Sequence, residues 1–249
     1  MNAPVLWENL THAEIGPALR AAGQAAMWPF GATEQHGPHL GTGVDTWIAR
    51  AVCEEVSART RVPVLPALPV GCSMGHSAKW PGTLSVTPAT LIAFVTETGG
   101  WLHASGVRRL FLVNAHVTNH APLRCALENL RHTFSGLSVA LINTAEITPD
   151  VREEFFADAD DWHANAAETS LVLHLRPEGA REELLASSDD PDRTRGLQFA
   201  HPVNRTSTNG VTGCPSRADA DAGRRLFARM VCGLEARILA GIAEHPPLT

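Results

Sequence analysis

The chain reads as an α/β protein built on a mostly parallel sheet, and three observations predict this. Short, continuously apolar runs recur along the 249 residues, amphipathic stretches of helical period separate them, and polar, glycine-rich turns follow several of the runs. Strands that are apolar on both faces belong to parallel sheets covered on both sides, because the connections between parallel strands are themselves helices.

In chain order, Ala25–Phe30 (AAMWPF) is a short buried strand. Asp45–Arg59 follows as a helix with Ile48, Val52 and Val56 four apart. Val62–Val70 is apolar but interrupted by Pro63, Pro66 and Pro69, which makes it an edge strand or an extended segment, since proline brings no N–H to a ladder. Thr87–Ser105 is a helix with Pro88 in its first turn, where a missing N–H costs nothing. Arg109–Val113 (RLFLV) is a second buried strand and runs into Asn114 and His116. Pro122–Phe134 is helical, Leu137–Asn143 is another buried strand, and Ala218–Glu244 makes one long or two shorter helices. Nothing in this succession looks like a linker or an internal repeat, so one domain is expected over residues 1–249. Ser187–Arg217 breaks the alternation. It is rich in Asp, Pro, Gly, Asn, Ser and Thr without sustained period, and a connection of that length is either plain surface loop or a lid or substrate loop.

Composition narrows the partners. At 44% hydrophobic and 18% charged the chain has enough apolar residues for a sizeable core. A net charge of −6 argues against nucleic acid or an anionic membrane, and no run of about 18 apolar residues offers a membrane span. Met1–Ile15 carries Glu8, His12 and Glu14 where a signal peptide needs an unbroken apolar run. The five cysteines are odd in number, scattered and without a C-x-x-C pair, so they read as reduced thiols, three of them in the core. A cytoplasmic location is expected.

The chemistry concentrates in Gly31–Asp45, GATEQHGPHLGTGVD, which follows the first strand at its carboxyl end, where open parallel sheets place ligands. Fifteen residues supply Glu34, His36, His39 and Asp45, a mix of carboxylate and imidazole that suits zinc, manganese or iron(II). Any one of these histidines alone reads as a solvated loop residue; the density of ligand types points to a metal. Two more clusters share the character: Asn114–His120 after the second strand, and Asp161–Ser170 opening a helical stretch. Within the latter, His163 and Glu168 are five apart, roughly 140° round a helix, and share a face only if His163 precedes the first turn.

These residues resemble the creatininase (creatinine amidohydrolase) family. Glu34-Gln35-His36-Gly37-Pro38-His39-Leu40 with Asp45 is similar to its E-Q-H-G-x-H-L…D signature. His76 with Pro81-Gly82-Thr83, Asn114–Asn119, and His163-Ala164…Glu168-Thr169-Ser170 resemble its three later segments in order. The resemblance implies a three-layer α/β/α fold and hydrolysis of a C–N bond in a small amide, with two divalent ions per chain. It further implies a homo-oligomer, commonly a hexamer built from dimers. Carried over by position, Glu34 and His116 bind one ion, His36 the other, and Asp45 bridges them; zinc, manganese and iron all suit the set. The family's remaining carboxylate falls where Thr118 stands here, so Glu168 is taken as its substitute. His163 matches the catalytic histidine, the alternative being a hydrogen-bonding residue at a helix start. Two cations sharing a hydroxide lower its pKa toward 7 and polarise the amide carbonyl, while a histidine passes a proton to the leaving nitrogen.

Departures reshape the substrate side. Ala115, Val117 and Thr118 replace the glycines of the family's N-G-H-G-G-N, and the chain has no tyrosine, so a compact cyclic amide, imide or formamide other than creatinine is expected. His76, Trp80 and Trp162 are candidate substrate contacts, though such tryptophans are more often core. Lys79, the only lysine, either meets a substrate carboxylate or sits solvated, and Arg193, Arg195 and Arg205 of the long loop offer the same choice. Two rivals stay open. Gly71-Cys72-Ser73-Met74-Gly75 spells G-x-S-x-G and would make Ser73 a nucleophile, but Pro81-Gly82 stops the helix such an elbow requires. A non-catalytic member that binds metal or a metabolite is the other.

Overall fold

The computed structural model describes residues 2–76, 79–246 and 248. Strands β1 (Ala25–Phe30), β2 (Arg109–Asn114) and β3 (Ser138–Asn143) form a sheet in the order β1-β2-β3, all parallel. β3, expected to be buried, lies at the end of this order and buries only Ile142. Ala25 pairs with Arg109 and Arg109 with Ser138, so Phe30, Asn114 and Asn143 end at one level. Chain segments leaving the three strands therefore start side by side.

The proline-interrupted stretch lies along the free edge of β1. Met27 pairs with Val64 and Phe30 with Leu68, both parallel. Met27 donates to the Pro63 carbonyl (2.9 Å), Leu65 to that of Met27 (2.9 Å) and Leu68 to that of Pro29 (3.0 Å), so every donor is a non-proline N–H. Pro29 within β1 is tolerated because on this side it is asked only for its carbonyl.

Alternation along the strands divides the core in two. Ala25, Met27, Phe111, Val113 and Ile142 pack with α2 (Val44–Thr60) and residues of α5 (Pro149–Phe155), α6 (Ala166–Leu175) and the last helix, α7 (Ala220–Ala243). Ala26, Trp28, Phe30, Leu110 and Leu112 pack on the opposite face with Leu19 of α1 (His12–Ala21), α3 (Pro88–Ala104) and α4 (His120–Thr133). The result is the expected α/β/α sandwich. The carboxyl-terminal region is one long helix, and α3 begins at its proline with Thr87 accepting from Thr90 N–H (3.3 Å).

α1 falls outside the sequence reading. Its start is nonetheless written locally: the Thr11 N–H donates to the Glu14 carboxylate (2.8 Å), half of a capping box. Cys53 and Cys72 are buried, Cys214 is partly so, and Cys125 and Cys232 are exposed, two core thiols where three were expected. Among the described residues no helix is long and apolar enough to cross a membrane.

Candidate metal centre

Four segments converge at the carboxyl ends of the strands. The first leaves β1 through Gly31, where a Cβ would meet the Thr46 backbone nitrogen at 2.4 Å. The absent side chain lets the strand end lie against the first turn of α2. Glu34 and His36 project from this segment, and Asp45 from that first turn. The second segment follows β2 and carries His116. Asn119 pins it, donating to the Gly31 carbonyl (3.0 Å) and accepting from the Cys72 N–H (2.9 Å). The third brings His163 and Glu168. α6 starts at Ala166, so His163 lies before the first turn and the two side chains meet the same site. Asn165 caps α6 by accepting from Glu168 N–H (3.2 Å), and the Glu168 carboxylate reaches back to the Ala164 N–H (2.7 Å). Ala164 takes φ +51°, a strained conformation for a residue with a Cβ, held by these bonds. The fourth is the 3-10 turn Met74–His76.

The donors face each other at spacings that suit ligands of a shared cation. Asp45 Oδ1 is 3.5 Å from His36 Nε2 and Asp45 Oδ2 is 3.3 Å from His116 Nδ1, so its two oxygens serve two histidines. Glu34 Oε1 lies 3.4 Å from His116 Nδ1, and Glu168 Oε1 lies 3.7 Å from His36 Nε2. Two ligand atoms on one tetrahedral zinc are roughly 3.3 Å apart, given bonds of about 2.0–2.1 Å. All five residues are buried. Glu34 Oε2, His36 Nε2 and Asp45 Oδ2 nevertheless have no hydrogen-bond partner, a costly arrangement unless a cation satisfies them. The far nitrogens are fixed: His36 Nδ1–H donates to the Glu34 carbonyl (3.1 Å) and His116 Nε2–H to the Cys72 carbonyl (2.8 Å), leaving the near nitrogens bare for a ligand. The residues present fit a pair of divalent cations.

Electrostatics agree. Burial pushes Glu34 up to about 7 against the pull of His116. Burial opposes the charged form of His116, but Glu34 and Asp45 outweigh it and lift the ring to about 9. His36 is raised well above its usual range in the same way, burial being overcome by Asp45 and Glu168. Asp45 is lowered despite burial because His36 and His116 flank it. His163 behaves oppositely: burial, then His36 and His76, hold it well below its usual range and keep it neutral.

A cavity of about 330 Å³ opens over these groups, lined by Glu34, Asp45, His76, His116, His163 and Glu168 and roofed by Ala200–Val203 of the long loop. Through Ala115, His116, Val117, Asp161 and Trp162 it adjoins an outer lobe of about 420 Å³. Trp162 and His76 both line the inner cavity. Trp80 does not line either lobe; it lies beneath the Lys79 ammonium at 4.7 Å, and Lys79 donates to the Ser207 carbonyl (2.7 Å) instead of facing substrate. The loop arginines also point elsewhere: Arg193 is bound to Asp190 (2.6 Å), Arg195 to Asp160 (3.2 Å), and Arg205 is exposed. Among the described residues, no lysine or arginine lines either lobe.

Comparison with known proteins agrees with this geometry. The profile of the family named Creatininase, creatinine amidohydrolase, matches residues 8–238. The chain belongs to the creatininase family. A mycofactocin precursor peptide peptidase of Mycobacterium tuberculosis is 34% identical over 239 residues, 88% of this chain and 87% of that protein. A creatinine amidohydrolase of Pseudomonas putida is 30% identical over 264 residues, 99% of this chain and all of that protein. A crystal structure of creatininase superposes with a TM-score of 0.86 at 27% identity, covering 97% of this chain and 99% of that one. Related creatininase structures are described as a manganese form and as a Zn–Zn type mutant.

One feature of this creatininase-family site imitates another enzyme class. Ser73 Oγ is 3.2 Å from His116 Nε2, and His116 Nδ1 faces Asp45, the outline of a Ser-His-Asp triad. The Cys72 carbonyl can only accept, so His116 Nε2 carries the proton and cannot take one from Ser73. Ser73 is buried and lines neither lobe. A serine that substrate cannot reach is not a nucleophile. Sequence reasoning had passed over Gln35 and Asn119 except as motif letters; their partners lie on other loops.

Proposed function

We propose that the chain hydrolyses the C–N bond of a small amide at a two-metal centre held by Glu34, His36, Asp45, His116 and Glu168. The supporting observation is the convergence of three buried carboxylates and two imidazoles, among which Glu34 Oε2, His36 Nε2 and Asp45 Oδ2 lack hydrogen-bond partners. Glu34 and His116 would hold one cation, His36 and Glu168 the other, and Asp45 both. Bound there, the cations supply a water of lowered pKa and polarise the amide carbonyl. His163 does the proton work: its Nε2–H donates to the Gln35 carbonyl (2.7 Å), which leaves Nδ1 bare and 3.5 Å from Glu34 Oε1, inside the cavity. A neutral imidazole there accepts a proton from the attacking water and returns it to the leaving nitrogen. Thr118 cannot replace Glu168, since its hydroxyl serves the Cys72 carbonyl on the far side of the His116 ring.

The inner lobe suits a compact cyclic amide, imide or formamide. The outer lobe favours a second reading, the end of a short peptide, and its lining by Glu146, Asp160 and Asp161 suits a neutral or amine-bearing remainder over an anionic one. The test is turnover by metal-loaded protein on a panel of lactams, hydantoins, imides, formamides and short peptides. Hydrolysis that a chelator abolishes and a serine-directed phosphonate spares is expected. No C–N cleavage across the panel would leave a metal- or metabolite-binding member of the family.

A further inference from the structure

Gln35, between two expected metal ligands, turns its side chain away from them and is nearly fully buried. Its orientation is fixed from both ends. Oε1 accepts the Gly37 N–H (2.9 Å), and Nε2 donates to the Gly210 carbonyl (3.0 Å), so a flipped amide would set donor against donor and acceptor against acceptor. The remaining Nε2 hydrogen points at His76 Nδ1, 3.0 Å away. That ring nitrogen must accept, so the His76 proton sits on Nε2, which lines the inner lobe 3.8 Å from Glu34 Oε2. The backbone carbonyl of the same residue accepts from His163 Nε2–H at 2.7 Å. Gln35 Nε2 is also 3.3 Å from His163 Nε2, but the two have no proton to share, since both hydrogens of the amide and that of the ring are taken at shorter range.

We propose that Gln35 is a positioning residue giving the two histidines opposite polarity, His163 a fixed Nδ1 acceptor and His76 a fixed Nε2–H donor to the substrate carbonyl oxygen. The second half rests on the amidohydrolase reading. The rings stand edge to face with centroids 4.4 Å apart, so donor and acceptor face one reacting carbon from adjacent positions. As the water oxygen bonds to that carbon, the carbonyl electron pair moves onto oxygen, and His76 Nε2–H hydrogen-bonds the growing charge without losing its proton. His163 Nδ1 takes the water proton. When the C–N bond breaks with its electron pair on nitrogen, that proton goes to the amine, leaving acid and amine. His76 is held in place for this donation by the Gln35 amide, which occupies its Nδ1 at 3.0 Å. It is unsuited to metal ligation, because its inward nitrogen is protonated. The long loop enters the device through Gly210. At φ +91° a Cβ there would meet Gln35 Oε1 at 1.9 Å, so only glycine allows its carbonyl to hold the amide.

The test reads the protons directly. Zinc-loaded, 15N-histidine-labelled full-length protein, assigned with single-histidine variants, is expected to show both His76 and His163 protonated on Nε2. In Gln35→Glu the carboxylate can only accept, and the His76 proton should move to Nδ1 while zinc content holds and kcat falls roughly 10²-fold, more than KM changes. A wild-type His76 protonated on Nδ1, or an Nε2 signal displaced by zinc, overturns the proposal. So does unchanged kcat in a variant whose proton has moved. Should Gln35→Glu not fold, the wild-type spectrum still decides the polarity, and His76→Asn against His76→Leu decides its use. Asn keeps an N–H donor and is expected to retain about tenfold more kcat; equal loss refutes donation. The expected spectrum with no C–N hydrolysis on any substrate would sink the activity alone and leave the positioning standing.

Discussion

Asp45→Asn separates a bridging carboxylate from an ordinary ligand. The substitution preserves shape at a buried position in the first turn of α2, so the helix and its packing are retained. It removes one negative charge whose two oxygens lie 3.5 and 3.3 Å from His36 and His116, the nitrogens assigned to different ions. Removing one partner of a buried charge pair costs about 3–5 kcal/mol. At about 1.4 kcal/mol per tenfold, each ion should bind roughly 10²- to 10⁴-fold more weakly. Glu168→Gln is the control, since its carboxylate approaches His36 at 3.7 Å and lies on that side of the pair. Elemental analysis after equilibration in one chelator-buffered zinc solution should find two ions in the parent, one in Glu168→Gln and none in Asp45→Asn. Two ions retained in folded Asp45→Asn would refute the bridge. So would loss of a single ion there with loss of both in Glu168→Gln.

Three further outcomes follow from the same geometry. His163→Ala should keep both ions and its fold while kcat falls roughly 10²- to 10⁴-fold; near-normal turnover returns His163 to a structural role beside Thr212, with which it is paired through both backbone bonds. Asn119→Ala leaves the Cys72 N–H and the Gly31 carbonyl without partners, at about 1–3 kcal/mol for each, and calorimetry should show a clear fall in Tm even with metal present. In ion-free protein His116 titrates at about 9 against 6.5 when unfolded, so its contribution to stability is whole below pH 6.5 and is lost as pH rises through 9. The Tm of chelated protein should therefore drop across that window, and zinc binding at pH 7 should release protons measurable by titration calorimetry in buffers of different ionisation enthalpy. A flat Tm and a buffer-independent heat would contradict the protonated His116.

The sequence by itself determined the sheet and the neighbourhood of the chemistry. AAMWPF and RLFLV are apolar on both faces, which only a covered parallel sheet rewards, and the polar residues that follow them must then emerge at the strands' carboxyl ends. α1, ten residues with Pro17 inside it, was not read from the sequence, although Thr11 and Glu14 mark its start. The pairing of His163 with Glu168 was undecidable from spacing, because a shift of one turn in the start of α6 puts them on one site or on two. Only the fold places that start at Ala166, through the Asn165 cap and the reach of Glu168 to Ala164 N–H.

Trp80 and the loop arginines show the reverse limit. Side-chain type suggested pocket contacts, but where a long polar side chain points depends on which carbonyl or carboxylate lies nearby. Ser207, Asp190 and Asp160 are brought there by the path of the loop, not by local sequence. Gln35 is the clearest case. Its neighbours in the chain mark it as part of a ligand motif, while its role is set by Gly210, 175 residues away, and by His76, 41 residues away. A sequence can specify which donors and acceptors a protein owns. Which of two ring nitrogens carries a proton is decided by the partner that tertiary structure sets within hydrogen-bonding distance of it, because a hydrogen bond reverses its demand when donor and acceptor are exchanged.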